Sequence, residues 1–512
     1  MVNGRPLRGW QKVWLYNYYI APKLCWMLMI YELPLTFVEQ LEATCTRFLK
    51  RWFGLARCAV PDILYVDREH HGFQLHALAT FYRRMQLVRL HLLKYSPDPE
   101  LQALYARLAQ APRDKRLKWN PVDALELHET TLLHERALNE QRRSRAGIGL
   151  RTTTGNLSAL DSHAGMRDAI SKRERTESTR ERLDRLRTLE MQGSWSQWDT
   201  VCQQDFTWRT LFSGAISDAM LKWTLNAQCW TLPSDDNKRR WGMIPVSRTC
   251  LLVMPGPAPD GSPAITCGRL NPTGKHVLTT CKAALAQDRF TWRHNSVLNA
   301  VREHLTPQLE LINGGQISLT KRRRVCFNRE GGQPYNIGND VPEPEAVTLA
   351  DHLALARDWR MLVDLPGSGA PYVAIPPEVT PSPLRPDILL LSDEAKAMII
   401  LELTCPIEER LDVAHDGKQD KYEHLVADGK ARDWKVHVCC FEVGARGVIG
   451  APTRNMFRAF GFCRPKQKQI LQTLSDIARR CSYWLFISRH TPLWEERPLL
   501  SFSPVLLNTP DE

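Results

Sequence analysis

Apolar side chains in the first part of the chain recur with the spacing of amphipathic helices. They follow one another at steps of three or four residues, as at Phe37, Leu41, Cys45 and Phe48, and Arg and Lys lie between them. This period places the apolar side chains on one face of a helix. We therefore predict a basic helical module over residues 1–110.

The apolar pattern changes further along the chain. Residues 111–200 are richer in charge and poorer in apolar residues, which predicts a charged linker, either an exposed helix or a flexible connector. Helical spacing returns from Trp208 to Trp241, within a helical piece expected over 201–330. Beyond a boundary rich in Gly and Pro, residues 340–512 alternate strand-like runs with helices. The chain is therefore expected to be multidomain, with a mostly α-helical N-terminal half and an α/β C-terminal domain.

Two short apolar runs in the C-terminal part predict a β-hairpin. The runs at 388–391 and 397–403 are strand-like, and residues 392–394 between them are of turn-forming types. A turn centred on this segment sets Leu389 opposite Ile400.

The same pairing brings two acidic residues together. Asp387 and Glu402 share one face at one end of the hairpin, with Cβ atoms expected only ~5 Å apart. Carboxylates this close repel each other unless a cation or a proton lies between them, and hard oxygen ligands suit Mg²⁺. A predicted helix over 412–434 adds Lys418 and Lys421, and a lysine near the metal can orient or deprotonate a water molecule or stabilise a charged phosphate.

Basic residues suggest a polyanionic partner. The chain has 68 Lys and Arg against 56 Asp and Glu, a formal charge of +12, and one dense run contains Lys321, Arg322 and Arg323. Such runs are more often solvated faces, so charge alone does not establish nucleic-acid binding. After a third predicted strand over 436–443, a tight loop carries Arg446, which we expect to approach a backbone phosphate.

A zinc-ligand spacing lies within the predicted helical piece, after its apolar segment. Cys267, His276 and Cys281 follow C-x8-H-x4-C, the last three ligands of a zinc knuckle, but Ala264 occupies the place of the first Cys. The nearest upstream cysteine is Cys250.

We interpret residues 253–266 as an insertion that separates the first two cysteines, because removing them restores the full C-x2-C-x8-H-x4-C spacing. A longer loop costs only about 0.6 kcal/mol per doubling of its length, so we predict that Zn²⁺ binding survives although the tight turn between the first two thiolates does not. The alternative is that these Cys and His residues do not form a common metal site. His294 is either a substitute ligand or a packed or nucleic-acid-facing histidine.

The chain's cysteines and apolar runs also bear on its compartment. Fourteen Cys occur without a recognisable signal sequence ahead of them, which favours a reducing compartment. The strongest apolar run, 24–31, is far shorter than the roughly 20 residues that span a bilayer. No membrane anchor is expected.

The acidic and basic motifs resemble those of a known family. Arg385-Pro386-Asp387 is followed after fourteen residues by Glu402-Leu-Thr404, and then by Lys418-x2-Lys421-Tyr422. This series resembles the restriction-like endonuclease, a PD-(D/E)XK variant, at the C-terminus of site-specific non-LTR retrotransposon polyproteins. In that family the lysine that usually follows the glutamate by two residues is displaced to the next helix, which fits Thr404 here.

The likeness extends upstream. The segments LNAQCWTLPSDDNKRRWG, GKHVLTTCKAALAQ and FTWRHNSVL are similar to the linker and the CCHC knuckle that precede this nuclease, and residues 10–110 resemble the thumb region after the polymerase. No Tyr-x-Asp-Asp or Phe-x-Asp-Asp motif occurs, so no polymerase palm is expected in this chain.

The resemblance implies a Mg²⁺-dependent endonuclease that nicks target DNA and leaves a 3′ hydroxyl, which a reverse transcriptase supplied by another chain would extend. It implies that Asp387 and Glu402 are metal ligands and that Lys418 or Lys421 assists the attacking water. It also implies that Arg385 and Tyr422 contact nucleic acid. DNA and RNA are the expected partners, in the nucleus or in a cytoplasmic ribonucleoprotein before entry. One alternative is a non-catalytic nucleic-acid-binding relic of such a polyprotein, and another is a scaffold protein that binds neither nucleic acid.

Overall fold

The computed structural model divides the chain into two compact units, Met1–Gln197 and Trp198–Glu512, as a multidomain protein requires. None of the helices in the described part of the chain combines the length and apolar character needed to cross a bilayer. The structure describes residues 2–112, 118–146, 162–200, 216–243, 247–256, 265–317, 319, 348–366, 373–492 and 494.

The first unit is helical, as the spacing of apolar residues predicts. Its helices are α1 Gly9–Leu15, α2 Ala21–Ile30, α3 Leu35–Phe53, α4 Leu78–Lys94, α5 Pro99–Gln110, α6 Pro121–Ala146 and α7 His163–Arg187. Local sequence fixes several ends: α3 begins directly after Pro34 and ends at Gly54, whose φ of 66° is left-handed. Helix α5 begins with Pro99 after Asp98, whose side chain accepts a hydrogen bond from the Glu100 N–H.

The segment predicted as a charged linker instead contributes α6 and α7 to this unit. The carboxylate of Glu174, on α7, is buried and lies 2.8 Å from Arg83 Nε on α4 and 3.1 Å from His128 Nε2 on α6. On the same helix Arg182 lies 3.3 Å from the fully buried Asp62. Ion pairs of this kind let highly charged helices pack against their neighbours. The scarcity of apolar residues in this segment therefore led to the wrong prediction of a linker.

The second unit combines helices with a mixed β-sheet of four strands within the described residues. Its strands are β1 Arg360–Val363, β2 Ile388–Ser392, β3 Ala397–Thr404 and β4 Lys435–Glu442. Its helices are α8 Asp218–Gln228, α9 Asp235–Arg240, α10 Lys282–Ala286, α11 Arg289–Asn313, α12 Leu349–Leu353, α13 Leu411–Ala431, α14 Ala451–Ala459 and α15 Arg464–Ile487. The α/β character expected of this part is therefore present.

The sheet is ordered β1-β2-β3-β4. Strands β1, β2 and β3 pair antiparallel, and β4 pairs parallel to β3 after the crossover helix α13. The three predicted strands correspond to β2, β3 and β4. Strand β1 was not predicted, because its four residues carry no alternation long enough to distinguish it from a loop.

Both faces of the sheet are covered, which explains why β2 and β3 are continuous apolar runs. One face packs on residues of α11 and α15, and the other on Tyr422 and Leu425 of α13. Gly429 allows α13 to lie close to β4, since a Cβ at this position would come 2.2 Å from a methyl of Val436.

Arg446, in the loop after β4, is buried, and this corrects the predicted phosphate contact. Its Nε lies 2.6 Å from Glu408 Oε2, and its guanidinium also pairs with Glu409. The guanidinium carbon lies 4.6 Å from the ring centre of Trp198 and 4.2 Å from that of Trp230. Arg446 therefore holds the loop to the body of the unit through charge and cation–π contacts.

We predict that Arg446→Met destabilises the second unit by about 3–5 kcal/mol, because it leaves the buried Glu408 carboxylate without its counter-charge. Hydrogen exchange of β4 peptides in increasing urea measures this loss within the full-length chain. Adding Glu408→Gln should restore part of it, since the uncompensated charge is then removed. The exposed Arg458→Met is the matched control and should change stability by less than about 0.5 kcal/mol. Equal behaviour of the two Arg variants would contradict the assignment.

Candidate active site and metal centre

The β2–β3 hairpin has the predicted register, because Leu389 pairs with Ile400. Asp387 directly precedes β2, and Glu402 lies near the end of β3. The Glu402 carboxylate accepts a hydrogen bond from the Asp387 N–H at 3.1 Å, and the Asp387 carboxylate accepts one from the Leu403 N–H at 2.7 Å. The two acidic side chains therefore meet at one end of the hairpin.

Helix α13 brings basic and phenolic groups to Glu402. Lys418 Nζ donates a hydrogen bond to Glu402 Oε1, and Lys421 Nζ lies 3.8 Å from the same oxygen. The Tyr422 hydroxyl donates to Glu402 Oε2 at 3.1 Å. The glutamate is only 2% exposed, whereas the lysine side chains are 32% and 37% exposed. The site therefore opens to solvent on the side of the lysines.

The fully buried Tyr422 has a supporting place in the site and cannot make the direct nucleic-acid contact predicted for it. Burial, together with the nearby Glu402 carboxylate, raises the pKa of its hydroxyl, so Tyr422 remains a neutral donor. The side chain of Arg385 lies at the surface, where Nη2 contacts Asp364 Oδ1 at 2.7 Å. The remaining predicted nucleic-acid contacts, Lys321, Arg322 and Arg323, lie outside the described residues.

His294 is a member of this site that the sequence did not identify. Helix α11 places its Nε2 3.2 Å from Asp387 Oδ2 and 3.2 Å from the Leu403 carbonyl oxygen. Burial disfavours the charged imidazole, but the hydrogen bond and charge of Asp387 outweigh it, so the pKa of His294 is raised. The sequence shows only a histidine in an amphipathic helix, and that pattern does not identify its distant partner. His294 is packed and is not a substitute zinc ligand.

The four predicted zinc ligands form one cluster. The ligand atoms of Cys250, Cys267, His276 and Cys281 all lie within 4.8 Å of one another. Sγ of Cys250 is 3.8 Å from Sγ of Cys281, and Sγ of Cys267 is 3.7 Å from Nε2 of His276. For Zn–S bonds of about 2.3 Å, tetrahedral geometry places two sulfurs about 3.8 Å apart, and a sulfur and a nitrogen about 3.6 Å apart. This cluster can therefore bind a metal such as zinc.

Cys250 and Cys267 lie on the two strands of an antiparallel β-ribbon. Thr249 pairs antiparallel with Leu270, and Val253 with Thr266. Hydrogen bonds join Cys250 N–H to the Arg269 carbonyl at 2.9 Å and Cys267 N–H to the Leu252 carbonyl at 2.8 Å. Cys250 and Cys267 are thus diagonal neighbours on one face of the ribbon. Diagonal pairing, rather than a tight turn, therefore brings these two thiols together.

The other two ligands come from the segment that follows the hairpin. His276 begins a short helical turn, His276–Thr280, and Cys281 caps the N-terminus of α10. The hydrogen bond from Cys250 lowers the pKa of the Cys281 thiol, and the same interaction raises the pKa of Cys250. The Cys281 thiolate thus forms readily, and its charge opposes ionisation of the Cys250 thiol. A divalent cation would relieve this repulsion.

No protein-family model matches the chain, and no curated protein matches it.

We predict that the purified protein contains about one zinc per chain and that Cys281→Ser loses most of it, because three ligands leave the tetrahedron open. Elemental analysis of the full-length chain measures this. Cys463→Ser, which alters an exposed thiol outside the cluster, is the control and should retain the metal. Zinc should also be released as pH falls, since protons compete for the thiolates. Equal zinc in both variants would refute the four-ligand site.

Proposed function

We propose that the second unit is a Mg²⁺-dependent DNA endonuclease of the PD-(D/E)XK type, part of a non-LTR retrotransposon polyprotein, and that it nicks target DNA for target-primed reverse transcription. The observation that carries this proposal is the meeting of Asp387, Glu402 and Lys418 at one end of the β2–β3 hairpin. Two carboxylates and an adjacent lysine are the groups that hydrolysis of a phosphodiester with a metal ion requires.

The sheet is compatible with the proposed restriction-like fold. The antiparallel hairpin, the crossover through α13 and the parallel strand β4 follow one another in the chain. This order lets β3 supply Glu402 while the next helix supplies the lysine. Thr404 occupies the place two residues after the glutamate, and Lys418 reaches Glu402 from α13 instead.

The acidic pair fits the coordination that Mg²⁺ prefers. Mg²⁺ commonly takes one or two protein carboxylates and completes its shell with waters and substrate phosphate oxygens, and Asp387 and Glu402 offer two carboxylates. When bound, Mg²⁺ would polarise the phosphate and neutralise developing charge. The solvent-facing lysine side leaves access for the DNA backbone.

The protein groups divide the remaining tasks. Lys418, in direct contact with Glu402, is better placed than Lys421 to orient the attacking water and stabilise the charged phosphate. The Leu403 N–H and His294 hold the Asp387 carboxylate, while Tyr422 holds that of Glu402. Such supporting hydrogen bonds keep ligands in position before the substrate binds.

The proposal extends to the setting in which the nick is used. The formal charge of +12 favours binding to DNA and RNA through phosphate contacts, and this binding should weaken with salt. A nick with a 3′ hydroxyl suits extension by a reverse transcriptase supplied by another chain, in the nucleus.

We predict that the full-length protein nicks supercoiled plasmid DNA in the presence of Mg²⁺. Asp387→Asn and Glu402→Gln should abolish nicking, because each removes a charged ligand while keeping the side chain's shape. Lys418→Ala should slow nicking by about 10²–10³-fold, the usual effect of losing one electrostatic stabiliser of the transition state. Gel separation of supercoiled and open-circular plasmid measures each rate.

Lys430→Ala is the matched control for the lysine, because Lys430 is exposed near the C-terminal end of α13. It should nick at the wild-type rate. Nicking by Asp387→Asn at the wild-type rate would exclude the proposed active site. A wild-type protein that binds plasmid without nicking it would instead support the non-catalytic relic.

A further inference from the structure

His415 and Glu442 form a second acid–base pair beside the proposed active site. His415 lies on α13, and its Nδ1 is 2.6 Å from Oε1 of Glu442 at the end of β4. The glutamate side chain is 2% exposed, whereas the histidine is 32% exposed. Because a carboxylate accepts hydrogen bonds, Nδ1 carries the proton of this bond. No hydrogen bond joins Nε2 to any residue in the described part of the chain.

The backbone of Glu442 is held by hydrogen bonds, and its side chain is closely packed. The Glu442 N–H donates to Thr453 Oγ1 at 2.9 Å, and the Thr453 hydroxyl donates to the Glu442 carbonyl at 2.7 Å. Gly450 packs against the side chain so closely that a Cβ there would lie 2.6 Å from Oε2. Glu442 therefore offers His415 a rigid acceptor, which sets the orientation of the imidazole ring.

The charges around His415 favour its protonated form. The hydrogen bond to Glu442 raises the pKa of His415, burial opposes this, and the charges of Glu442, Asp416 and Asp412 add to the rise. Burial raises the pKa of Glu442, and the bond from His415 counters that effect. The pair thus holds a proton that the partly exposed imidazole can present to a ligand through Nε2.

The pair lies next to the Glu402–Lys418 contact. Glu442 is the partner of Thr404 in the parallel ladder, and Thr404 follows Glu402 by two residues, so all three side chains lie on the face that α13 covers. On α13, His415 and Lys418 are three residues apart and therefore neighbours on the helix surface. The buried Thr404 hydroxyl has no hydrogen-bond partner among the described residues.

We propose that His415 is a general acid for strand cleavage, donating the proton on Nε2 to the leaving 3′ oxygen, and that Glu442 is the residue that positions it. This inference rests on the proposed nuclease function. The water oxygen bonds to phosphorus, the bond from phosphorus to the 3′ oxygen breaks, and the Nε2 proton completes the 3′ hydroxyl. The water's proton passes to solvent on the lysine side, and neutral His415 regains a proton from solvent.

The spacing of Lys418 and His415 suits separate roles on the attacking and leaving sides of the phosphorus. In an in-line displacement the attacking and leaving oxygens lie on opposite sides of the phosphorus, a separation that two-metal sites span with ions about 3.5–4 Å apart. Lys418 and His415 differ by three residues along α13, a rise of about 4.5 Å. One lysine can thus serve the attacking side while the imidazole serves the leaving side.

The leaving group provides the test. A sulfur in place of the bridging 3′ oxygen departs as a thiolate and needs no proton, so a general acid is dispensable on that substrate alone. We would map the nick made by the wild-type protein, then place a 3′-phosphorothiolate at that linkage in a duplex oligonucleotide. Single-turnover rates on the oxygen and sulfur duplexes would be measured in Mn²⁺ for the wild type and for His415→Gln.

We expect His415→Gln to cleave the oxygen duplex about 10²–10⁴-fold more slowly than the wild type, the usual contribution of acid–base catalysis, and the sulfur duplex at close to the wild-type rate. Glu442→Gln should show the same pattern, more weakly. His424→Gln, which alters an exposed histidine on the same helix, is the control and should match the wild type on both duplexes.

An equal loss of rate on both duplexes would overturn the proposal, because a purely structural role does not distinguish the leaving groups. Unchanged rates for His415→Gln on both would also overturn it while leaving the nuclease function intact. Failure of the nuclease function is recognised separately: the wild type would then cleave neither duplex, or Asp387→Asn would cleave both.

Discussion

The register of the β2–β3 hairpin is the constraint on which the proposed active site depends. The strand period of two means that a slip of one residue would turn each apolar side chain of β2 to the opposite face. Both faces of this sheet are buried, so apolar burial alone would tolerate such a slip. The acidic residues would not, because it would separate Asp387 from Glu402. Their reciprocal hydrogen bonds to backbone N–H groups fit only the observed register.

Burying charge at this end of the sheet requires compensation from several elements. Glu402 is almost inaccessible to water, yet its oxygens contact the Asp387 N–H, the Tyr422 hydroxyl and Lys418. A buried carboxylate without such partners would be strongly destabilising. The buried Glu442 carboxylate is compensated in a similar way by its contact with His415. Lys418 and His415 both lie on α13, so the packing of this one helix on the sheet determines which basic groups face the acids.

Sequence patterns predicted the parts of this structure that rest on local periodicity. The helices within residues 1–110, the hairpin, the α/β character of the second unit and the four clustered metal ligands followed from spacing. Features that depend on contacts between distant segments did not. Arg446 resembled a phosphate contact because its loop is rich in glycine, and only the fold reveals the glutamates and tryptophans around it. His294 contacts Asp387 over a separation of 93 residues, and His415 contacts Glu442 over 27 residues. No local pattern encodes contacts between segments so far apart.

Two of the four clustered metal ligands are brought together by the register of a β-ribbon. The pairing of Thr249 with Leu270 and of Val253 with Thr266 sets Cys250 opposite Arg269, two positions from Cys267. Positions two apart along a strand share a face, so both thiols point to one side whatever the number of residues between the two strands. Chain length between ligands therefore matters less than register, since closure entropy grows only slowly with loop length. The same rule of register that joins two carboxylates on β2 and β3 joins two thiols here.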